Sequence, residues 1–301
     1  MIALMLGLAA AAAQPGIVAT IDPSHRIVEG VATDGSTIWV TSVLERQVIA
    51  CTKSCRTIAT LKPGLHLFAL AWDWRRKLLW VAADCPPGVP GIVECRQGAL
   101  VALSRTGKVR VMLAPKDITF HPGDVSVSRS GVFASDSQNG LVWRLMPGRP
   151  GLRAVNRPGD GKSAQGTALE PSGTALIVAD YSRGIGSIDL KTTATTWLPR
   201  QDGKPLRGVD GLIRCGDTYL GVYNGQTPGA ILTITMRPGG VEYGELVADL
   251  VLPDPTQIAF DGKRLLAVAD SGWEAHMKGQ ANRQAGAHIV AMPLSSDCKP
   301  I

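Results

Sequence analysis

The chain has 301 residues, 45% of them hydrophobic, which is enough apolar material to build a sizeable core. Its formal net charge is +6, and its Lys and Arg are scattered, with Arg75-Arg76-Lys77 the longest basic run, which excludes a nucleic-acid footprint. The 34 Gly and 20 Pro fall between short β-like runs, so many strands and many turns are expected and a helical protein is excluded.

In chain order, the first residues read MIALMLGLAAAAAQP, a short apolar run ending in small residues. Ala11-Ala12-Ala13 fits a cleavage site, which predicts a signal peptide over residues 1–13 and a secreted or periplasmic product beginning at Gln14. The run is too short to span a bilayer, and no other segment is apolar for long enough, so no membrane span is expected. Residues 16–22, GIVATID, form an isolated strand. A recurring phrase follows: EGVATDGSTIWVTSV from 29, FALAWDWRRKLLWVAAD from 68, GDVSVSRSGVFASD from 123, QGTALEPSGTALIVAD from 165, DGLIRCGDTYLGVYN from 210 and TQIAFDGKRLLAVAD from 256. Each is an alternating strand, a turn and a second apolar strand, and the copies start 39 to 55 residues apart.

A third strand follows every copy, for example GALVALSR and AILTITMR, and a fourth follows the first five, as in CRTIATL and KVRVMLA. This is the length and content of a four-stranded propeller blade. The sixth copy lacks a fourth strand, and residues 16–22 supply it from the other end of the chain. The predicted fold is therefore all-β: one domain over 14–301, a six-bladed β-propeller closed by the N-terminal strand, which removes its open edges. A β-sandwich or two smaller β domains would not explain six copies in register.

The even count of six cysteines fits an oxidising compartment. Cys51 and Cys55 flank a short turn, Cys85 and Cys95 enclose a Pro/Gly-rich loop, and Cys215 with Cys298 is the remaining pair. A zinc site at Cys51-x3-Cys55 is the minor reading, because no second Cys/His cluster accompanies it. Trp39, Trp72, Trp80 and Trp143 are expected to pack between blades, and the recurrent Asp84, Asp136, Asp180 and Asp270 to cap turns, with Asn224 sharing that role.

The innermost strand of each blade lines the central channel, and its first residue sits near one mouth. Those positions are Glu29, Phe68, Gly123, Gln165, Asp210 and Thr256. Glu29, Gln165 and Asp210 thus bring two carboxylates and an amide carbonyl to one axis, a set that suits a divalent metal ion, Ca²⁺ first and Zn²⁺ second. His66 and His121 lie just ahead of Phe68 and Gly123 and are candidate general bases toward a metal-bound water. The loop 271–287, with Trp273, Glu274, His276 and Lys278, is the candidate for a lid or a specificity loop. The chain has no G-x-S-x-G, P-loop or dinucleotide motif.

The phrases around these residues resemble the SMP-30/gluconolactonase/LRE-like family of six-bladed propellers, which has relatives among paraoxonase-like lactonases. Glu29 in VEGVATD matches the family's metal-binding Glu, and Asp210 in GVDGLIR its Asp. Gln165 in AQGTALEPSG stands where the family has a ligand Asn, and Gly123 in HPGDVSV where it has a further Asn near the substrate. The resemblance implies a metal-dependent hydrolase of a lactone or similar ester; Asp210 joins His66 and His121, taken from their position, as a catalytic candidate, and a small molecule is the expected partner of a monomeric chain. The two departures favour the other reading, a propeller that binds a small molecule or protein at the same mouth without turnover.

Overall fold

The computed structural model describes residues 15–116, 118–247, 250–280 and 286–295. The expected leader, Gln14 and Cys298 lie outside the described residues. The chain opens with β1 (Gly16–Thr20). Blade one is β2 (Val28–Thr33), β3 (Ile38–Ser42), β4 (Gln47–Cys51) and β5 (Cys55–Thr60). Blade two is β6 (His66–Asp73), β7 (Leu78–Asp84), β8 (Ala99–Ser104) and β9 (Val109–Leu113). Blade three is β10 (Pro122–Ser128), β11 (Gly131–Asp136), β12 (Val142–Leu145) and the two-residue β13 (Arg153–Ala154). Blade four is β14 (Ala164–Leu169), β15 (Ala175–Asp180), β16 (Gly184–Asp189) and β17 (Thr195–Leu198). Blade five is β18 (Val209–Cys215), β19 (Thr218–Tyr223), β20 (Ala230–Arg237) and β21 (Gly240–Glu245).

Blade six has β22 (Ile258–Phe260), β23 (Arg264–Ala269) and β24 (His288–Pro293) from the C-terminal end, and β1 completes it as the outermost strand. β1 runs antiparallel to β24, with Gly16 opposite Ala291 and Thr20 opposite His288. The six-bladed ring closed by its N-terminal strand is therefore as expected. Apolar residues at alternate positions of the middle strands fill the spaces between blades, as in the cluster of Trp39, Leu67, Leu79, Val81 and Val101. The four tryptophans pack as expected: Trp39 stacks on Trp72 at 5.0 Å, Trp143 meets Phe120 edge-on, and Trp80 is buried.

The recurrent Asp at the end of the second strand organises two backbone segments. Asp136 accepts N–H bonds from Gln138 and Asn139 in its own turn and from His121 ahead of β10. Asp180 does the same with Ser182 and Arg183, and with Lys162 and Ser163. In blade six the direction reverses. Asp270 takes a left-handed conformation, and Asp254, ahead of β22, reaches across to bind Ser271 and the Gly272 N–H. Disulfides join Cys51 to Cys55 and Cys85 to Cys95. Cys215 is disulfide-bonded, and its expected partner lies outside the described residues. No described helix is long and apolar enough to cross a membrane.

Ile21, fully buried just after β1, packs with Val28, Val31 and Ile289 and anchors the closing strand. Ile21→Ala is expected to cost about 2–4 kcal/mol, the usual range for a large-to-small core change. Deleting 16–22 should lower the thermal transition further and promote association through the bare edge of β24. A deletion variant melting with the parent would contradict closure by β1.

Candidate functional site

Five of the six inner strands are bulged at the same place. The register shifts between Val28 and Val31, Leu67 and Leu70, Pro122 and Asp124, Ala164 and Thr167, and Val209 and Leu212. The residues set free are Glu29-Gly30, Phe68-Ala69, Gly123, Gln165-Gly166 and Asp210-Gly211, so the bulges fall on the channel positions read from the repeats. A bulge leaves a residue unpaired and re-aims its side chain. The glycine of each pair has its own reason: a Cβ on Gly30 would meet the Phe68 carbonyl at 2.7 Å, and one on Gly166 the Leu212 nitrogen at 2.1 Å. The E-G and Q-G pairs therefore combine a re-aimed polar side chain with close approach of the next blade.

Glu29, Gln165 and Asp210 line one cavity of about 670 Å³ at this mouth, with Tyr181, Asn224 and Thr256. Blade six covers it. Within loop 271–287 the chain forms a short helix, α1 (Trp273–Met277), and Trp273, Glu274, Met277 and Lys278 face the cavity. The Trp273 indole N–H donates to the Glu29 carboxylate, and its ring stacks on Phe68 at 6.3 Å. His276 bonds through Nε2 to the Pro90 carbonyl in the loop held by Cys85–Cys95, which ties the lid to blade two. Part of the expected lid loop is thus a short helix at the cavity, bonded to blade one and to the loop of blade two.

The electrostatics are unfavourable for bare carboxylates. Burial, and then the charge of Asp210, hold Glu29 well above the usual carboxylate range, against the bond from Trp273. Burial pushes Asp210 up to about 6, opposed by a hydrogen bond from Asn224 Nδ2 at 2.8 Å. A third carboxyl, Asp124, lies deeper in the channel and is pushed up to about 7 by burial and then by Asp210. Gln257 supports it: Nε2 donates to Asp124 Oδ1 at 2.8 Å, while Oε1 accepts the Val31 and Leu70 N–H groups. One amide of blade six thus bonds to blades one, two and three across the axis. Asp124, Gln257, Asn224 and Trp273 as a partner of Glu29 were not assigned from the sequence.

The two departures from the family phrases are coupled in space. A Cβ built on Gly123 would lie 2.9 Å from Gln165 Oε1 and 3.1 Å from Ser137 Cβ. The longer Gln165 side chain fills the place that a residue at 123 would occupy. His66 and His121 do not line the cavity. His66 is buried and donates through Nδ1 to the Val43 carbonyl at 2.9 Å, and burial lowers its pKa. His121 is held at Nδ1 by Asp84 Oδ1 at 3.0 Å. Asp84 also lies beside Cys85 and Cys95, but those two sulfurs are bonded to each other.

No family model and no curated protein matches the chain. Among solved structures it is similar to a putative gluconolactonase, with a TM-score of 0.63 and 14% identity over 96% of this chain and 93% of that one. It is similar to the PQQ-bound aldose sugar dehydrogenase of Streptomyces coelicolor, with a TM-score of 0.62 and 12% identity over 92% and 97%. It is also similar to luciferin-regenerating enzyme, with a TM-score of 0.62 and 12% identity over 96% and 98%. Identities this low show the fold alone. The propellers that share it include the gluconolactonase and luciferin-regenerating types whose phrases the sequence resembles.

A double-mutant cycle tests the coupling at the axis. Gly123→Ala should destabilise the protein by about 1–2 kcal/mol through overpacking. In a Gln165→Ala background that cost should fall by about 0.5–1 kcal/mol in urea unfolding. Strict additivity would show that Gln165 does not occupy the space beside Gly123.

Proposed function

We propose that the protein is an exported, divalent-metal-dependent hydrolase of a lactone or similar ester, acting on a small molecule at the mouth covered by α1. The observation that carries this reading is the convergence of Glu29, Gln165 and Asp210 on one cavity, re-aimed there by matching bulges. The donor set fits a hard cation. It offers carboxylate and amide oxygens, its carboxylates are disfavoured as bare anions, and the buried Asn224 Oδ1 beside Asp210 accepts no hydrogen bond among the described residues. A bound Ca²⁺ would supply polarisation of an ester carbonyl and charge for the developing oxyanion.

The chain's own residues do the rest. Asn224 donates to the Asp210 carboxylate and orients it, and Asp210 would take a proton from an attacking water. Trp273 holds one Glu29 oxygen, and among the described residues no hydrogen bond is made to the other, which is free for a ligand. The α1 lid narrows access to solvent. His66 and His121, the other candidate bases, stand outside the lining of this cavity, with His66 Nδ1 bonded to the Val43 carbonyl and His121 Nδ1 to Asp84. Export is supported by the two disulfides and the apolar N-terminal run. The binding-module reading rests on the departures at Gln165 and Gly123 and on the indole N–H that already engages Glu29.

Asp210→Ala should weaken Ca²⁺ binding by more than about 100-fold, since loss of a ligand's hydrogen-bonding partner alone costs about 10–100-fold. Hydrolysis across a panel of γ- and δ-lactones should fall with it. Gln165→Asn, one methylene shorter, should keep or tighten binding. If neither change alters metal content, the axis is not a metal site and the binding-module reading stands.

A further inference from the structure

Asn224 occupies, in blade five, the position that Asp84, Asp136, Asp180 and Asp270 hold in four other blades. Its side chain behaves differently. Asp136 and Asp180 collect backbone N–H groups from their own turns, whereas Asn224 collects none among the described residues. Instead Nδ2 donates twice, to Asp210 Oδ2 at 2.8 Å and to the Pro255 carbonyl at 3.1 Å. A carbonyl can only accept, so this second bond fixes which end of the amide is nitrogen. The remaining atom, Oδ1, is buried and accepts no hydrogen bond among the described residues. A buried amide oxygen without a partner is uncommon and calls for a physical account, and unlike the buried Trp39, Trp72 and Trp143 indoles this one belongs to a residue that lines the cavity.

The surroundings indicate which partner. Asn224 lines the same cavity as Glu29, Gln165 and Asp210. Among the described residues four acidic side chains line it, Glu29, Asp210, Asp254 and Glu274, and the one basic side chain there, Lys278, is ion-paired to Glu274. An uncommitted carbonyl beside carboxylates adds to negative potential and matches a hard cation's preference for mixed carboxylate and amide oxygens.

We propose that Asn224 is an oxygen ligand of the cation site. The site is then Glu29, Gln165, Asp210 and Asn224, the last supplied by the residue that follows β19 in blade five. The assignment rests on the cation reading of the mouth, and the experiment separates the two. Ca²⁺ binding by calorimetry and the Ca²⁺-induced rise in melting temperature are measured for the parent, Asn224→Leu and Asn224→Asp, each first stripped with EDTA.

Asn224→Leu keeps the shape but removes the amide oxygen and the Nδ2 donor to Asp210 together, so it should weaken Ca²⁺ binding about tenfold or more, and the Asn224→Asp variant separates ligation from positioning. Asn224→Asp loses both amide donations and places a second carboxylate beside Asp210, so the stripped variant should melt below the parent. Added Ca²⁺ should then raise its melting temperature by more than it raises the parent's. A purely structural role predicts the same loss in EDTA without the larger rise. Parent protein that binds no Ca²⁺ overturns the cation reading and this assignment together. Parent that binds, with Asn224→Leu binding equally well, overturns this assignment alone. If Asn224→Leu does not fold, Asn224→Asp decides: a Ca²⁺-induced rise no larger than the parent's overturns the assignment.

Discussion

A closed ring of blades creates one polar problem, at its centre. Six inner strands converge on an axis where solvent is scarce, so every polar group they carry must be satisfied there or held at a cost. On the floor of the channel the problem is solved internally. Gln257 accepts from Val31 and Leu70 and donates to Asp124, and so joins four blades through one side chain. At the mouth it is solved only in part. Glu29 has Trp273, Asp210 has Asn224, and the Asn224 oxygen accepts no hydrogen bond among the described residues. The difference between a bonded floor and an unfinished mouth is the ground for proposing that function lies at the mouth.

The lid follows from the same geometry. In blade six the link between β23 and β24 is long, and Asp254 fixes its start by bonding Ser271 and Gly272. That anchoring delivers Trp273 to Glu29 and Phe68, while His276 reaches Pro90 on the far side. The cover is thus held by blades one, two and six. Because the Trp273 indole bonds a charged or chargeable oxygen, whatever binds Glu29 is felt directly by the lid.

Much of this was legible in the sequence, for a physical reason. Blade architecture is written in local alternation and turns, so the six copies and the spare strand 16–22 could be read without tertiary information. The channel positions were legible because the repeat aligns them. What stayed hidden depends on contacts between distant segments. Gln257 looks like an ordinary polar residue beside Thr256 until blades one to three close around it. Asn224 reads as a turn cap because its neighbours in the repeat are caps. Gly123 reads as a missing side chain, whereas Gln165 fills its place from the next blade. The helix α1, at five residues, is too short to show a periodic pattern.

The central claim is that the mouth is completed by a hard cation. Crystals grown with millimolar Ca²⁺ and measured for calcium anomalous scattering test it most directly. The account predicts one strong peak at this mouth, about 2.3–2.6 Å from oxygens of Glu29, Gln165 and Asp210. No peak at the mouth, or a calcium bound elsewhere on the ring with these oxygens bonded only to protein, would contradict it.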